Sequence, residues 1–325
     1  MTGRRAPLED IAAAVRAHPG LRAKRPIALV GEVLGGGNWE QGPGDDGAVV
    51  EVAGAGGATV VVGGEALLPA FVAADPFAAG VAAMLTNVND LAAMGAEPLA
   101  LVDTIVAPEA VARRALEGLR HASALYGVPV VGGHLTIHDG PPALSAFGLG
   151  RAAPGAALSV RRSAPGQRLI LAGCTDGVMR GDFPFFGSFD ARGAALAGDV
   201  RVLAALAASG AAVAAKDVSM AGILGSLGML LECHRLGVTV DLDALPRPAD
   251  VGLVDWLGCF PCLAFLVCAP PDREADCIGA FHRRGLAAAV IGELDGSGVL
   301  RISAGGATAD VLDVRTEPVT GLPPA

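Results

Sequence analysis

Aromatic side chains are scarce in this chain: Phe, Trp and Tyr together make up 4% of its 325 residues. The hydrophobic share is nevertheless 52%, so any core must be built mostly from Ala, Val and Leu. A chain of this length and hydrophobicity can bury two ordinary cores, which predicts two domains.

Basic stripes and long apolar runs are also missing. The net charge of -9 opposes a nucleic-acid groove, although an acidic protein can still bind ATP because divalent cations screen the phosphates. No apolar run reaches the uninterrupted length that spans a bilayer, and the first residues lead into a charged helix rather than a signal sequence. We therefore expect no nucleic-acid partner, no membrane and a cytoplasmic location.

Cysteine is used sparingly, with six in the chain. Their apolar surroundings predict reduced thiols. Cys259 and Cys262 form a Cys-x-x-Cys pair, which supplies only two of the four ligands that a structural zinc needs. The residues after Cys262 read as a buried strand rather than as the helix start that redox chemistry prefers, so we expect a structural pair, with a functional thiol pair as the alternative.

Glycine, in contrast, is abundant between residues 35 and 44, directly before Asp45 and Asp46. A segment this rich in glycine predicts a mobile loop that ends at the first residue of a strand. Adjacent aspartates repel each other but suit a hard cation such as Mg²⁺. A plain Gly-Asp turn before a strand remains the alternative.

A second polar cluster lies in an otherwise apolar helix. The helix is predicted over 76–95, because Asp75 and Pro76 provide an N-cap and a first-turn proline and Gly95 provides a stop. Apolar residues recur along it at helical spacing, while Asn87, Asn89 and Asp90 stand near the edge of that face. Such groups need partners, which are either internal hydrogen bonds or a ligand.

The order of these motifs resembles the aminoimidazole ribonucleotide (AIR) synthetase superfamily, most closely its AIR synthase-related subfamily of undefined reaction. The resemblance is carried by Gly-Asp-Asp-x-Ala at 44–48, Asn-Asp-Leu-Ala-Ala-Met-Gly-Ala-Glu-Pro at 89–98, Gly-Gly-His-Leu-Thr at 132–136 and Asp-Val-Ser-Met-Ala-Gly at 217–222. It implies an α+β, two-domain PurM-like fold in which the N-terminal domain forms a shared β-barrel in a dimer and helices back a C-terminal sheet. The expected domains are 1–160 and 161–325.

The resemblance also implies ATP in a cleft between the domains, with Mg²⁺ ions on aspartates. Carried over residue by residue, it assigns catalytic roles to His134 and Asp217. It assigns cofactor binding to Gly44, Asp45, Asp46, Asn87, Asp90, Gly132 and Gly133, and metal binding to Asp45, Asp46, Glu65, Asp90 and Asp217. We further expect Glu65 and His134 to face the same cleft as Asp90.

Three departures from the family pattern limit what can be transferred. His134 stands at an acidic position, Met220 replaces the second Asp of Asp-x-Ser-Asp-Gly, and Glu65 falls where relatives keep Thr-Asp. Histidine suits softer metals or a general base, so His134 could serve either role or be a hydrogen-bonded loop residue. A loop metal trio of His134, His138 and Asp139 is a further alternative.

The pattern of periodicity and turn residues predicts the remaining elements. Helices are expected at 8–18, from 108 to near 127, and at about 190–208, 220–236 and 272–284. Strands are expected at 48–52, 59–66, 99–106, 128–131, 143–151, 168–172, 238–241, 262–268, 286–292 and 298–303.

The predicted function is an ATP- and Mg²⁺-dependent enzyme that phosphorylates an amide, carbamoyl or phosphate oxygen of a small substrate. A thiamine-monophosphate kinase is one alternative, and a nucleotide-binding homodimer without turnover, acting as a sensor or assembly partner, is another. The apolar strands at 59–62 and 144–149 lack clean alternation, which predicts burial on both faces and hence a homodimer.

Overall fold

A computed structural model describes residues 7–34, 44–51, 59–181 and 183–324. The chain divides into two compact units. Unit 1 comprises Met1–Asp45, Leu158–Ala191 and Ser209–Ala325, and unit 2 comprises Asp46–Ala157 and Arg192–Ala208. The sequence predicts two contiguous domains that meet near residue 160, whereas unit 1 is formed by three segments of the chain and unit 2 by two.

The described helices are α1 (Leu8–Ala17), α2 (Pro19–Lys24), α3 (Ala28–Leu34), α4 (Pro69–Ala74), α5 (Pro76–Ala93), α6 (Glu109–Tyr126), α7 (Phe189–Arg192), α8 (Leu196–Asp199), α9 (Val202–Ala208), α10 (Gly222–Glu232), α11 (Leu253–Gly258) and α12 (Glu274–His282). The described strands are β1 (Ala48–Glu51), β2 (Thr59–Ala66), β3 (Glu97–Ala107), β4 (Val130–Ile137), β5 (Ala143–Ala152), β6 (Arg168–Gly173), β7 (Val178–Met179), β8 (Phe185–Gly187), β9 (Ala214–Asp217), β10 (Gly237–Asp241), β11 (Phe260–Pro261), β12 (Ala264–Ala269), β13 (Ala287–Asp295), β14 (Val299–Ala304) and β15 (Ala307–Asp313). The fold is α+β, as the sequence predicts.

Unit 2 is built on a sheet whose described strands have the order β1-β2-β5-β3-β4. Helix α5 begins as predicted: the Asp75 carboxylate accepts a hydrogen bond from Ala78 N at 3.0 Å, and Pro76 opens the first turn. The chain leaves the helix through Gly95, whose φ of 66° lies in the left-handed region that favours glycine.

Helices α5 and α6 cross at a reciprocal pair of glycines. A Cβ atom on Gly80 would overlap the carbonyl oxygen of Ala115, and one on Gly118 would overlap that of Phe77. The two backbones can therefore approach each other only because both positions lack side chains. This contact fixes α5, the helix that carries Asp90, against α6.

The two faces of the unit 2 sheet differ sharply. Along β5, every second residue from Leu144 to Ala152 is buried, and the residues between them are exposed or half-exposed. Phe147 and Leu149 belong to the open face and are 47% and 39% exposed. The predicted burial on both faces is therefore not seen within the single chain, because one face is covered by helices and the other is apolar but exposed.

Unit 1 contains a larger sheet, whose described strands have the order β15-β14-β10-β13-β6-β12-β9. Strand β12 is buried along its whole length, which explains why the run after Cys262 is continuously apolar. A smaller sheet pairs the described strands in the order β11-β8-β7. At the end of α10, the Glu232 carboxylate accepts hydrogen bonds from Val319 N at 2.7 Å and Thr320 N at 3.0 Å, which ties down the C-terminal segment.

Two differences from the predicted elements have local causes. The helix predicted over 190–208 is broken into α7, a 3₁₀ turn at Gly193–Ala195, α8 and α9, with Gly193 at a φ of 47° where the chain turns. Strand β4 extends to Ile137, so His134 lies within a strand rather than in a loop. Among the described residues, every helix is too short or too polar to cross a bilayer.

Candidate metal and nucleotide site

Asp46 and Asp90 bring two carboxylates together in unit 2. Asp46 lies just before β1 and is half-buried, whereas Asp90 lies in the last turn of α5 and is 8% exposed. One oxygen of each carboxylate lies within 4.8 Å of the other. Two charges this close repel each other, and a hard cation bound by oxygen ligands relieves that repulsion. Both residues therefore fit a Mg²⁺ site.

Asn87 lies one turn before Asp90 and is fully buried. Its amide nitrogen donates to the carbonyl oxygens of Ala83 at 2.9 Å and Ala146 at 3.3 Å. Both neighbours are acceptors, so the orientation of the amide is fixed and Oδ1 must face the other way. Among the described residues, Oδ1 has no hydrogen-bond partner. Asn87, a predicted cofactor residue, thus links α5 to β5 through its amide nitrogen, while its Oδ1 atom could accept a hydrogen bond from a ligand.

Asp45 has a different environment from its neighbour. The division between the units falls between Asp45 and Asp46, and the Asp45 carboxylate accepts hydrogen bonds from Ser159 Oγ at 2.6 Å and Val160 N at 2.7 Å within unit 1. Burial raises the pKa of Asp45, and these two hydrogen bonds partly offset that rise. A metal would have to compete with both bonds, so the contacts favour an anchoring role.

The strand register places Glu65 and His134 on opposite faces of the unit 2 sheet. Glu65 lies opposite Ala146, which lies opposite Asp103, and Asp103 lies opposite Gly133. His134 is the next residue along β4 and faces Thr104. Because successive residues of a strand point to opposite faces, the prediction that Glu65 and His134 share one cleft with Asp90 is wrong.

Ala146 and Gly148 lie on the face that α5 covers, since a Cβ on Gly148 would meet Leu91 and Asn87 of that helix. Glu65 is on this face and His134 is on the open one. The His134 side chain is exposed, and Nε2 lies 3.3 Å from Thr136 Oγ1. Among the described residues, His134, His138 and Asp139 do not form a metal-ligand group.

The two glycines of the Gly-Gly-His motif differ in their surroundings. A Cβ on Gly133 would lie 2.7 Å from Asp103 Oδ1 and closer still to the Asp103 carbonyl oxygen, whereas a Cβ on Gly132 would meet nothing within 4 Å. Gly133 is therefore required by packing. Gly132 and Gly44 remain predicted cofactor residues, and Gly44 has a φ of 110°, which other residues rarely adopt.

Asp217 ends β9 in unit 1, where it is 3% exposed. The preceding Lys216 is equally buried, and its Nζ lies 3.3 Å from Asp217 Oδ1. Met220, which replaces the motif's second Asp, is 43% exposed. The convergence of Asp217 with Asp46 and Asp90 remains a prediction from the sequence motif.

Sequence reasoning missed two charged residues. Asp103 is 7% exposed, and burial raises its pKa. It is the lone carboxylate in the predicted strand over 99–106, a signal that could have identified it. Lys216 is one of only two lysines in the chain and directly precedes the aspartate motif.

The Cys-x-x-Cys pair has the features of a core element. Cys259 and Cys262 are both fully buried, and the Cys259 thiol donates to the Trp256 carbonyl oxygen at 3.4 Å. Burial raises the pKa of Cys259 to about 12. A thiol of this pKa is not a reactive thiolate at neutral pH, which supports the structural interpretation.

Models of both halves of one family match the chain. Residues 44–152 match the N-terminal domain of AIR synthase related protein, and residues 192–305 match its C-terminal domain. The chain belongs to the AIR synthase related protein family. An uncharacterized protein of Synechocystis sp. is 33% identical over 268 residues, which cover 81% of this chain and 82% of that protein.

A more distant relative is named as a synthase subunit. The phosphoribosylformylglycinamidine synthase subunit PurL of Synechocystis sp. is 30% identical over 266 residues, which are 74% of this chain but only 34% of that protein. Among solved structures, Thermotoga maritima PurL complexed with AMPPCP aligns at a TM-score of 0.77 and 17% identity, over 97% of this chain and 52% of that one. AaThiL complexed with AMPPCP and TMP aligns at 0.64 and 16%, over 88% and 96%. These similarities show a PurM-like fold.

Proposed function

We propose that this protein is an ATP- and Mg²⁺-dependent enzyme that phosphorylates, and thereby activates, an oxygen of a small substrate. The observation that carries the proposal is the Asp46–Asp90 pair, whose carboxylate oxygens lie within 4.8 Å of each other in a member of the AIR synthase related family. Relatives of this family include proteins named as synthases, and solved relatives hold AMPPCP.

The residues of the proposed site have different roles. Asp46 and Asp90 hold Mg²⁺, and Asp217 is proposed as a further ligand on the strength of its sequence motif. Bound Mg²⁺ would neutralise charge on the phosphates. Asp45 fixes the end of the glycine-rich segment through Ser159 and Val160, so that Asp46 is presented at a defined position. Asn87 holds α5 against β5 and thereby positions Asp90.

ATP turnover by the pure protein tests this proposal. The protein is incubated with ATP and Mg²⁺ together with small amides, carbamoyl compounds or phosphate monoesters, and ADP is measured. We expect ADP formation that depends on one substrate class and on Mg²⁺. The absence of ADP with every class, although Mg²⁺-ATP binds, would favour the alternative of a nucleotide-binding homodimer without turnover.

Thiamine-monophosphate kinase is the second enzyme candidate, because AaThiL shares the fold over 96% of its chain. Met220 stands where the kinase motif has its second Asp, and His134 points to the face of the sheet that α5 does not cover. Both features oppose kinase chemistry of that kind. Phosphorylation of thiamine monophosphate by the pure protein would reverse this order of preference.

We also propose that the protein is a homodimer that covers the open face of the unit 2 sheet. This face presents Val50, Val62, Val102, Phe147 and Leu149, which are between 36% and 48% exposed. Exposed apolar residues in neighbouring strands form a patch of the kind that marks a protein–protein interface. Strand β4 also lies at the edge of the described sheet, which leaves backbone groups available for pairing.

A further inference from the structure

Lys216 is buried to an extent that is unusual for its residue type. Of the 24 Lys and Arg residues in the chain only two are lysines, and Lys216 is 3% exposed. Lysine is almost never fully buried unless it is paired with an opposite charge. Its Nζ lies 3.3 Å from Asp217 Oδ1, and the two side chains are 4% and 5% exposed.

The positive charge of Lys216 also acts on two further carboxylates of unit 1, those of Asp45 and Glu232. Burial raises the pKa of Asp45 and of Glu232, and in both cases the charge of Lys216 acts in the opposite direction. One ammonium group thus stabilises the charged form of three carboxylates of unit 1. It contacts Asp217 directly, and it acts on Asp45 and Glu232 by longer-range electrostatic attraction. Without it, Asp217 would lose this contact, and Asp45 and Glu232 would lose the favourable effect of its charge, which is costly for carboxylates that are shielded from water.

Position 216 holds a lysine, although most of the basic residues in this chain are arginines. Arginine offers a flat fork of donors, whereas the lysine ammonium is a compact point charge, similar in size and field to a small cation. The local motif is also depleted of negative charge, because Met220 stands in place of the second Asp. Because residue 220 is neutral and residue 216 is cationic, less divalent charge is needed to balance the negative charge around Asp217.

We propose that Lys216 is a built-in counter-ion that takes the place of one divalent cation beside Asp217, so that the site uses fewer Mg²⁺ ions. Lys216 acts through Asp217 and is therefore a positioning residue. This inference rests on the proposed function, since it concerns the same metal-binding carboxylates. It predicts that the Lys216 ammonium group occupies the role that an exchangeable metal ion would otherwise have beside Asp217.

Calorimetric titration of the full chain with MgCl₂ alone tests the inference. The variants are Lys216→Met, which deletes the charge, Lys216→Arg, which keeps it, and Lys24→Met, which removes the only other lysine. We expect Lys216→Met to bind Mg²⁺ at least about tenfold more tightly, or to bind one additional ion per chain, because the repulsion between ammonium and metal is lost. Lys24→Met should match the wild type, and Lys216→Arg, which keeps a positive charge in a different shape, should gain neither the tighter binding nor the additional ion.

A purely structural lysine would give the opposite sign, because its loss would disorder the carboxylates and weaken Mg²⁺ binding. Unchanged or weaker Mg²⁺ binding by folded Lys216→Met overturns the inference. If Lys216→Met does not fold, Lys216→Gln is used, and the Mg²⁺-dependent rise of its unfolding midpoint should exceed that of the wild type. An equal or smaller rise would also overturn it.

These outcomes separate the inference from the proposed function. Wild-type protein that binds Mg²⁺-ATP, together with a Lys216→Met variant of unchanged Mg²⁺ affinity, removes the counter-ion role alone. Tighter Mg²⁺ binding by Lys216→Met, together with a wild type that neither binds nor turns over ATP, removes the proposed enzyme and leaves the counter-ion role standing.

Discussion

Gly133 of β4 lies directly opposite Asp103 of β3, so close that a Cβ atom on Gly133 would be 2.7 Å from the Asp103 side-chain oxygen. Gly132, its neighbour, has open space where its Cβ would be. We expect Gly133→Ala to lower the free energy of unfolding by about 1–3 kcal/mol through overpacking. Gly132→Ala should change it by less than about 0.5 kcal/mol. Denaturant unfolding of both variants checks this, and equal effects would contradict the close contact.

Asp103 itself should make stability depend on pH. Its pKa is raised in the folded protein by burial, so the neutral carboxyl is favoured there. The stability that Asp103 contributes to the folded protein is fully present below the ordinary aspartate pKa. It is lost as the pH rises through the raised pKa that Asp103 has in the folded protein. Asp103→Asn cannot ionise, so we expect it to gain stability relative to the wild type as pH rises from 3 to 8, as measured by thermal unfolding. Asp139→Asn, at an exposed position, is the control. A difference between Asp103→Asn and wild type that does not change with pH would refute the prediction.

Glu232 secures the C-terminal segment by accepting from two backbone N–H groups and from the Thr320 hydroxyl. Replacing it by alanine leaves these buried donors unsatisfied, so Glu232→Ala should lower the free energy of unfolding by about 3 kcal/mol. Glu317→Ala, at an exposed position nearby, should have little effect. Urea unfolding measures both variants. Similar decreases in the free energy of unfolding would show that the hydrogen bonds of Glu232 to the C-terminal segment do not stabilise the fold.

Among the described residues on the open face of the unit 2 sheet, Phe147 is the largest exposed hydrophobic side chain, at 47% exposure, and it belongs to the apolar patch that supports the homodimer proposal. A buried glutamate at this position would oppose association, so Phe147→Glu should sediment as a folded monomer at micromolar concentration. Val254→Glu, at a position in unit 1 that is 44% exposed, should leave the oligomeric state unchanged. A wild-type protein that is monomeric at this concentration would exclude the homodimer.

The sequence predicts elements well where local signals are explicit. Strand β2 is observed at Thr59–Ala66, the bounds predicted, and α5 begins at the predicted Asp75–Pro76 cap. The segment over 190–208 is rich in alanine, and its helical propensity hides the turn at Gly193. Strand β9 is too short to show a period, although it carries both Lys216 and Asp217.

The candidate site was predictable only in part, because motifs locate residues in the chain and not on faces of a sheet. Asp46 and Asp90 could be paired from the family resemblance, and the structure brings their carboxylates together. The separation of Glu65 from His134 depends on the register of four strands, which no local pattern encodes. The anchoring of Asp45 by Ser159 depends in the same way on a contact between residues far apart in sequence.

The most direct test of the central claim is a calorimetric titration of ATP into wild type, Asp46→Asn and Asp90→Asn, each with Mg²⁺ and with a chelator. Asparagine keeps the size of the side chain and deletes the charge that holds the metal. We expect Mg²⁺-dependent binding by the wild type and by the exposed-position control Asp139→Asn. Affinity should fall tenfold or more in Asp46→Asn and in Asp90→Asn, about the loss that follows removal of groups supporting a metal. ATP binding of wild-type affinity in both variants, with unchanged Mg²⁺ dependence, would contradict the account.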